Sequence, residues 1–312
     1  MSELLSVVIP THNRPDRLAV AVRSVLDQDY PSIEIVIVDD GSTPATAEML
    51  DKLCSTGDRI VVLRNDQSQG AAAARNSGMT AASGELMGFC DDDDAWLPGA
   101  ASAAVGALGP DIGIVYGHHQ VLIEDTGRLV TFRPPAVANA VLMRWINVPA
   151  VPCAMARRAN VAAELHFDTD LITSEDWDLW LRCAELAPMI MVPTPLYRYV
   201  QHRDERVTSR PSDYAERQAR FVAKHRSSMT SACIAHHELA IALTARDLGG
   251  VGDQIRLLPR HPANLGSAGV LAAEMVASRI GRRREDPGLP LRVAARALAQ
   301  ATGTGRSTRH AN

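Results

Sequence analysis

The chain has 312 residues, 46% of them hydrophobic, with 32 basic and 36 acidic residues and a formal net charge of -4. This length allows one large domain or two moderate ones, and the apolar fraction excludes global disorder. The acidic balance speaks against a nucleic-acid binder, which carries a basic excess.

The cysteines Cys54, Cys90, Cys153, Cys183 and Cys233 are odd in number, widely spaced and without a C-x-x-C pair. A disulfide framework or zinc knuckle is therefore not expected, and a reducing, cytoplasmic setting is. The N-terminus, "MSELLSVVIPTHNRPD", has no basic start and only a very short apolar run, and reads as a strand instead of a signal peptide. No uncharged apolar stretch approaches the ~20 residues that span a bilayer.

In chain order, "LLSVVIP" is a β-rich run ending at Pro10. Leu18, Val22, Val25 and Leu26 then recur at helical spacing, with Pro15 near the first helical position. "IEIVIVDD" is apolar on both faces over Ile35 to Val38, as a buried parallel strand should be. "TPATAEMLDKL" predicts a second helix, "RIVVLRN" a third strand and "GAAAARNSGMTAAS" a third helix, with Gly84 placed to end it at a C′ position. "ELMGFC" predicts a fourth strand. This alternation argues for an α/β fold with an open, mostly parallel central sheet and helices on both faces.

Beyond Pro98 the pattern loosens. "IGIVYGHHQVLI" predicts one or two strands, and "VLMRWINVPAVPCAMARRANV" mixes a helix, a Pro-marked turn and a strand. "TSEDWDLWLRCAELA" predicts a helix with Thr173 or Ser174 as N-cap, acids in the first turn, and Trp177, Trp180, Leu181 and Ala184 on its apolar side. "PMIMVPTPLYRYV" is strand-like, and from about Arg210 a helical, Arg/Ala-rich extension begins. It is broken near Gly249–Gly252 and Pro287–Pro290.

Ligands of open α/β sheets sit beyond the carboxyl ends of the strands. Asp39 and Asp40 follow the second strand and Asp91 to Asp94 the fourth, so both acidic groups fall at one edge. Two carboxylates ~4 Å apart repel by about 1 kcal/mol in water and ~4 kcal/mol at an effective dielectric of 20. A hard divalent cation, Mg²⁺ or Mn²⁺, is the simplest reason for such convergence. The plain alternatives are a solvated loop and a D-G turn. A carboxylate at Asp39 or Asp40 can also accept from a ribose hydroxyl or a base N–H. The first strand is followed by "IPTHNRP", not G-x-G-x-x-G, and no G-x-x-x-x-G-K-[ST] occurs, which disfavours nicotinamide and P-loop chemistry. Alone, Asp176 with Glu175 and Asp178 reads as ordinary N-terminal helix acids. His202 is a structural residue or a ligand to a Mn²⁺ site, with Arg203 and Arg206 available to a diphosphate. His118-His119 and His236-His237 read as strand and helix residues, and Cys90 as a small apolar residue.

Four stretches together, "SVVIPTHNRPDRLAVAVRSVLDQ", "EIVIVDDGS", "GAAAARNSGMTAASGELMGFCDDDDAWLP" and "TSEDWDLWLR", resemble the family 2 glycosyltransferases of the GT-A fold over roughly residues 4–205. The resemblance implies metal-dependent, inverting transfer of a sugar from a nucleoside-diphosphate donor, a UDP-sugar first of all, to a hydroxyl of a glycan or lipid-linked acceptor. Cell-envelope polysaccharide synthesis is the implied setting. It implies that Pro10, Thr11 and Asn13 border the nucleobase, that Asp40 or Asp39 contacts base or ribose, and that Arg75 lies near the donor. Asp91-x-Asp93 would be the D-x-D element, with Asp91 facing ribose or metal waters, Asp93 on the metal and Asp92 between them. Asp92-x-Asp94 is the alternative register. Asp176 matches the catalytic base, and His202 a metal or diphosphate contact.

The implied organisation is a glycosyltransferase domain over 1–210, a nucleotide half over 1–99 and an acceptor half over 100–210. A helical region over 211–301 and a disordered tail over 302–312 follow. "GVLAAEMVASRIGRRR" and "LPLRVAARALAQA" are basic and amphipathic. They read as a helical cap, or alternatively as interfacial helices giving peripheral contact with the inner face of the cell membrane. Two rival functions are a nucleotidyltransferase making nucleotide-sugars and a non-catalytic nucleotide-sugar binder. The first would carry an early Gly-rich basic loop, which "IPTHNRP" is not.

Overall fold

The computed structural model describes residues 2–54, 59–136, 138–148, 151–171, 174–202 and 211–245. They fall into two compact units, one holding the described residues through His202 and one holding those from Pro211 on. The basic segments expected over 269–284 and 289–301, the breaks near 249–252 and 287–290, and the 302–312 tail lie outside the described residues. So do Thr173, Arg203 and Arg206.

In the first unit β1 (Leu5–Thr11) leads to α1 (Pro15–Leu26), β2 (Ile33–Asp40), α2 (Pro44–Cys54), β3 (Ile60–Asn65), α3 (Ala71–Ala81) and β4 (Leu86–Phe89). Then come β5 (Ala95–Trp96), α4 (Ala100–Ala107), β6 (Ile114–Ile123), β7 (Arg128–Phe132), α5 (Ala140–Met143), β8 (Ala154–Arg157), α6 (Arg158–Val161), α7 (Glu175–Leu186) and β9 (Met189–Gln201). They build a nine-stranded sheet in the order β3-β2-β1-β4-β8-β6-β9-β5, with β7 paired to β6. The alternating stretch gives the parallel block β3-β2-β1-β4. Beyond it β8 runs antiparallel to β4 and β6, and β9 runs parallel to β6.

Side-chain alternation decides which helix covers which face. Leu5, Val7, Ile9, Ile33, Ile35 and Ile37 pack with Leu18, Val22 and Val25 of α1, Leu50 of α2 and Ala100, Ala101 and Ala104 of α4. Val8 and Val38 point the other way, where a Cβ added to Gly78 of α3 would meet Val8 Cγ1 at 2.4 Å. Phe89, opposite Val8 in register, meets Trp180 of α7 and Phe167, with ring centroids 6.2 and 5.4 Å away. Helices therefore cover both faces of the parallel block.

Two local expectations are corrected. Gly84 does not end α3, whose C-cap is Ala82 in extended conformation. A Cβ on Gly84 would lie 2.5 Å from the Leu4 carbonyl oxygen, so the glycine serves the close approach of the chain to β1. Ser174 is the N-cap of α7, one of the two positions expected, but it sits at φ 67 and the capping hydrogen bond expected of its side chain is not made. Its left-handed backbone carries the chain into the helix instead.

The second unit pairs α8 (Pro211–His225) with α9 (Ser231–Ala245). Gln218 Nε2 donates to the buried His237 Nδ1 at 3.0 Å. His236 also lies in α9, where burial and His237 push it down to about 3. Among the described residues no helix is long and apolar enough to cross a membrane.

Candidate active site

The parallel strands end at one edge, and register places Pro10 beside Val38 and Thr11 beside Asp39. Asp39 is 3% exposed and accepts from the Ser42 amide at 3.0 Å. Asn13 takes a left-handed φ of 57, a conformation Asn tolerates better than most residues. Its Oδ1 accepts from the Thr43 amide at 2.8 Å, and its own amide donates to Ser42 Oγ at 2.9 Å. His12 Nδ1 donates to the Asp40 carbonyl at 2.8 Å. These bonds join the turns after β1 and β2 into one rim.

Asp40 plays a different part. Its carboxylate accepts from Asn65 Nδ2, Ser68 Oγ and the amides of Gln69 and Gly70 at 2.8 to 3.0 Å. Burial would raise its pKa, but these donors outweigh burial and hold it below the ordinary value. Gly41, at φ 75, permits the fit: a Cβ there would meet the Ser68 nitrogen at 2.7 Å. Of the two carboxylates considered for base or ribose, Asp40 is therefore committed to the 65–70 loop.

The acid run turns back on itself, with the Asp94 amide donating to the Asp91 carbonyl at 3.2 Å. Each carboxylate then finds its own partner. Asp94, 2% exposed, accepts from the Tyr197 hydroxyl and from the Val200 amide at 2.7 Å, because β5 pairs antiparallel with β9. Asp92 accepts from Thr11 Oγ1 at 2.8 Å and Arg14 Nη1 at 3.1 Å. Burial nevertheless holds the Asp92 pKa above the ordinary value. Arg14 also reaches Asp93 Oδ2 at 2.9 Å, and His202 Nε2 lies 2.8 Å from that same oxygen. Asp91 and Asp93 keep the more accessible side chains, 30% and 11% exposed.

On the other side, Arg75 of α3 is 6% exposed. It donates to Asp91 at 2.6 Å and to Glu175 at 3.3 Å, and its guanidinium lies 5.4 Å from the Phe167 ring centroid. Burial alone would lower its pKa, but Asp91 and Glu175 hold it raised. Asn76, one residue on, exchanges two hydrogen bonds with the Phe167 backbone, both 2.8 Å, and so ties the segment ahead of α7 to α3. Asp176 then accepts from the Trp177 amide at 2.7 Å and from Asn147 Nδ2 at 3.3 Å. Burial raises Asp176, and burial with the Asp176 charge pushes Glu175 up to about 7.

The raised Glu175 has a consequence for stability. Its ordinary value is 4.5, so between about pH 4.5 and 7 the folded chain holds the proton more tightly than the unfolded one. Its stabilising contribution is full below that window and is lost as the pH rises through it. Glu175→Gln should therefore flatten the fall in melting temperature between pH 5 and pH 8. A variant whose melting temperature falls as steeply as the wild type's would show that Glu175 carries no such term.

The site thus brings Thr11, Asp91 to Asp93 and His202 together, and Arg75 links Asp91 to the start of α7. His118 and His119 lie in β6, where His119 stacks on Phe132 at 4.7 Å, and Cys90 is fully buried in the core. Sequence reasoning missed Arg14 and Asn147. Arg14 stands inside the quoted "THNRPD" and carried a signal as the cation nearest an acidic edge. Asn147 carried none, since its partner lies 29 residues away.

The donor set suits a hard cation in kind: carboxylate oxygens and one imidazole, with a guanidinium already drawn onto Asp92 and Asp93. Among the described residues no three His, Cys, Asp or Glu side chains converge tightly enough to hold an ion by themselves. Mg²⁺ commonly takes one or two carboxylates and completes its shell with substrate phosphates and water.

The profile of the family described as "Glycosyl transferase family 2" matches residues 6–162, half of the chain. WfaP of Escherichia coli, a "UDP-Glc:alpha-D-GlcNAc-diphosphoundecaprenol beta-1,3-glucosyltransferase", is 29% identical over 180 residues, 57% of this chain and 69% of that protein. A Campylobacter jejuni "GalNAc(5)-diNAcBac-PP-undecaprenol beta-1,3-glucosyltransferase" is 37% identical over 126 residues, 40% of each chain. In structure, S. aureus TarS 1-349 in complex with UDP-GlcNAc superposes with a TM-score of 0.63 at 16% identity, over 98% of this chain and 93% of that one. The Pyrobaculum calidifontis mannosyltransferase PcManGT, in complex with GDP-Man and Mn²⁺, gives 0.61 at 18%, over 96% and 87%. The chain belongs to glycosyl transferase family 2: it is a glycosyltransferase with the GT-A fold.

Proposed function

We propose that the protein transfers a sugar from a UDP-sugar to a hydroxyl of a lipid-diphosphate-linked glycan, with inversion and with Mg²⁺ or Mn²⁺. One observation carries this reading: Arg75 bridges Asp91 of the acid run to Glu175, which sets Asp176 beside the edge where the strands end. The glucosyltransferase activity of WfaP supports the donor and acceptor classes, and the Mn²⁺ of PcManGT supports the metal.

In this reading residues 1–99 bind the nucleotide and 100–210 the acceptor. Pro10, Thr11 and Asn13 border the base. Asp39 accepts from base or ribose, since Asp40 is committed to its loop. Asp93 and His202 would hold the ion, with Asp91 facing ribose or metal waters and Asp92 braced by Thr11 and Arg14. A bound divalent cation supplies charge neutralisation at the diphosphate. Asp176 accepts the proton of the acceptor hydroxyl, whose oxygen attacks the anomeric carbon from the face opposite the diphosphate; the C–O bond breaks with its electron pair on the leaving group.

Calorimetry with UDP, GDP and dTDP, with and without Mn²⁺, on wild type and Asp93→Ala tests the donor site. UDP binding that needs Mn²⁺ and weakens at least about tenfold without Asp93 is expected. Binding indifferent to both removes the metal assignment. Turnover with a synthetic GlcNAc-diphospho-lipid should release UDP; release of pyrophosphate instead would indicate nucleotidyl transfer.

A further inference from the structure

The first turn of α7 is steadied from outside its own helix. Ser174 provides no side-chain cap, and among the described residues Asp176 Oδ1 accepts only from the neighbouring Trp177 amide. The second oxygen, Oδ2, is met by Asn147 Nδ2. Asn147 follows α5, and that stretch is fastened to α7 at two other points. The Trp177 indole donates to the Met143 carbonyl, and Arg144 pairs with Glu185. Asn147 is therefore not needed as a tether.

Its amide is also used unevenly. Nδ2 faces the carboxylate, while Oδ1 is buried with no hydrogen-bond partner among the described residues. A residue selected for packing alone would carry an apolar side chain, because a buried unpaired oxygen is costly. We infer that Asn147 is the positioning residue of the catalytic base: its amide N–H holds Oδ2 of Asp176 in place to take the acceptor's proton. The inference rests on the reading of Asp176 as the base. The same amide, turned about its Cβ–Cγ bond, presents Oδ1 to the protonated acid once the proton has moved.

The charges around Asp176 make the role measurable. Glu175 stands beside it on α7, Arg75 faces it from α3, and Asp91 from the loop after β4. Burial and the Asp91 charge favour the neutral acid. The Trp177 amide, Asn147 and Arg75 favour the carboxylate. Loss of one donor tips this balance toward the proton.

The test is the pH profile of UDP release from UDP-glucose with the GlcNAc-diphospho-lipid acceptor. Asn147→Ala should lower kcat by about tenfold to a hundredfold, the usual size for a partner that orients a functional group. It should also move the ascending limb about one pH unit higher, with much of the rate recovered in alkali. Asn147→Asp should move the limb further, and Asn147→Gln, which keeps the amide, should restore part of the rate. UDP affinity should stay within about twofold, since donor contacts are untouched. If the Ala and Asp variants are slow with the limb unmoved, Asn147 is merely structural and the inference is overturned. Asp176→Asn run in parallel separates the two ideas. If it remains active, the base assignment fails. If it is inactive while the limb stays put in Asn147→Ala, only the role of Asn147 fails.

Discussion

Asp176→Asn is expected to slow sugar transfer by about a thousandfold, or ~4 kcal/mol of barrier, while UDP affinity changes by no more than about twofold. The substitution keeps the shape and removes the basic oxygen. Asp176 sits between Arg75 on one side and Asn147 on the other, so an amide of the same size should leave the first turn of α7 in place. The edge proposed to hold the donor, built on the turns after β1, β2 and β4, has no hydrogen bond to Asp176 in the described residues. The loss should therefore appear in kcat and not in nucleotide binding. Transfer within about tenfold of wild type would remove Asp176 from the mechanism and move attention to Glu175, which is also partly exposed and pushed up to about 7.

The parallel block was legible because each of its signals is local. Unbroken apolar runs such as Ile35 to Val38 announce strands buried on both faces, and Leu18, Val22 and Val25 announce a helix stripe. Placing both acidic groups at one edge followed from the parallel direction alone. Partners were the illegible part. Which aspartate faces outward depends on Tyr197 and Val200 capturing Asp94, a contact more than 100 residues long that exists because β5 pairs with β9. Assigning separate duties to Asp39 and Asp40 needed the 65–70 loop to be folded against the second strand. Asn147 approaches from a stretch whose apolar pattern gave only a mixed reading. Short-range periodicity specifies elements; the pairing of side chains across them is a product of packing.

Asp40→Ala should be the most destabilising single change at the edge proposed to bind the nucleotide. It strands the donors of Asn65, Ser68, Gln69 and Gly70 around a residue only 4% exposed. Unpaired donors cost about 1–3 kcal/mol each when they stay buried, and part of the loop can turn to water, so a loss of roughly 2–4 kcal/mol is expected in urea unfolding. The sign of the pH effect follows from the depressed pKa. Asp40 stabilises fully above its unfolded value near 3.8, and that contribution is lost as the pH falls through the lower folded value. Wild type should then lose stability in strong acid more steeply than the variant does. The loop also leads through Gly70 into α3, which carries Arg75 and Asn76, so UDP affinity should fall with stability. A variant as stable as wild type, with UDP binding abolished, would return Asp40 to direct contact with the nucleotide.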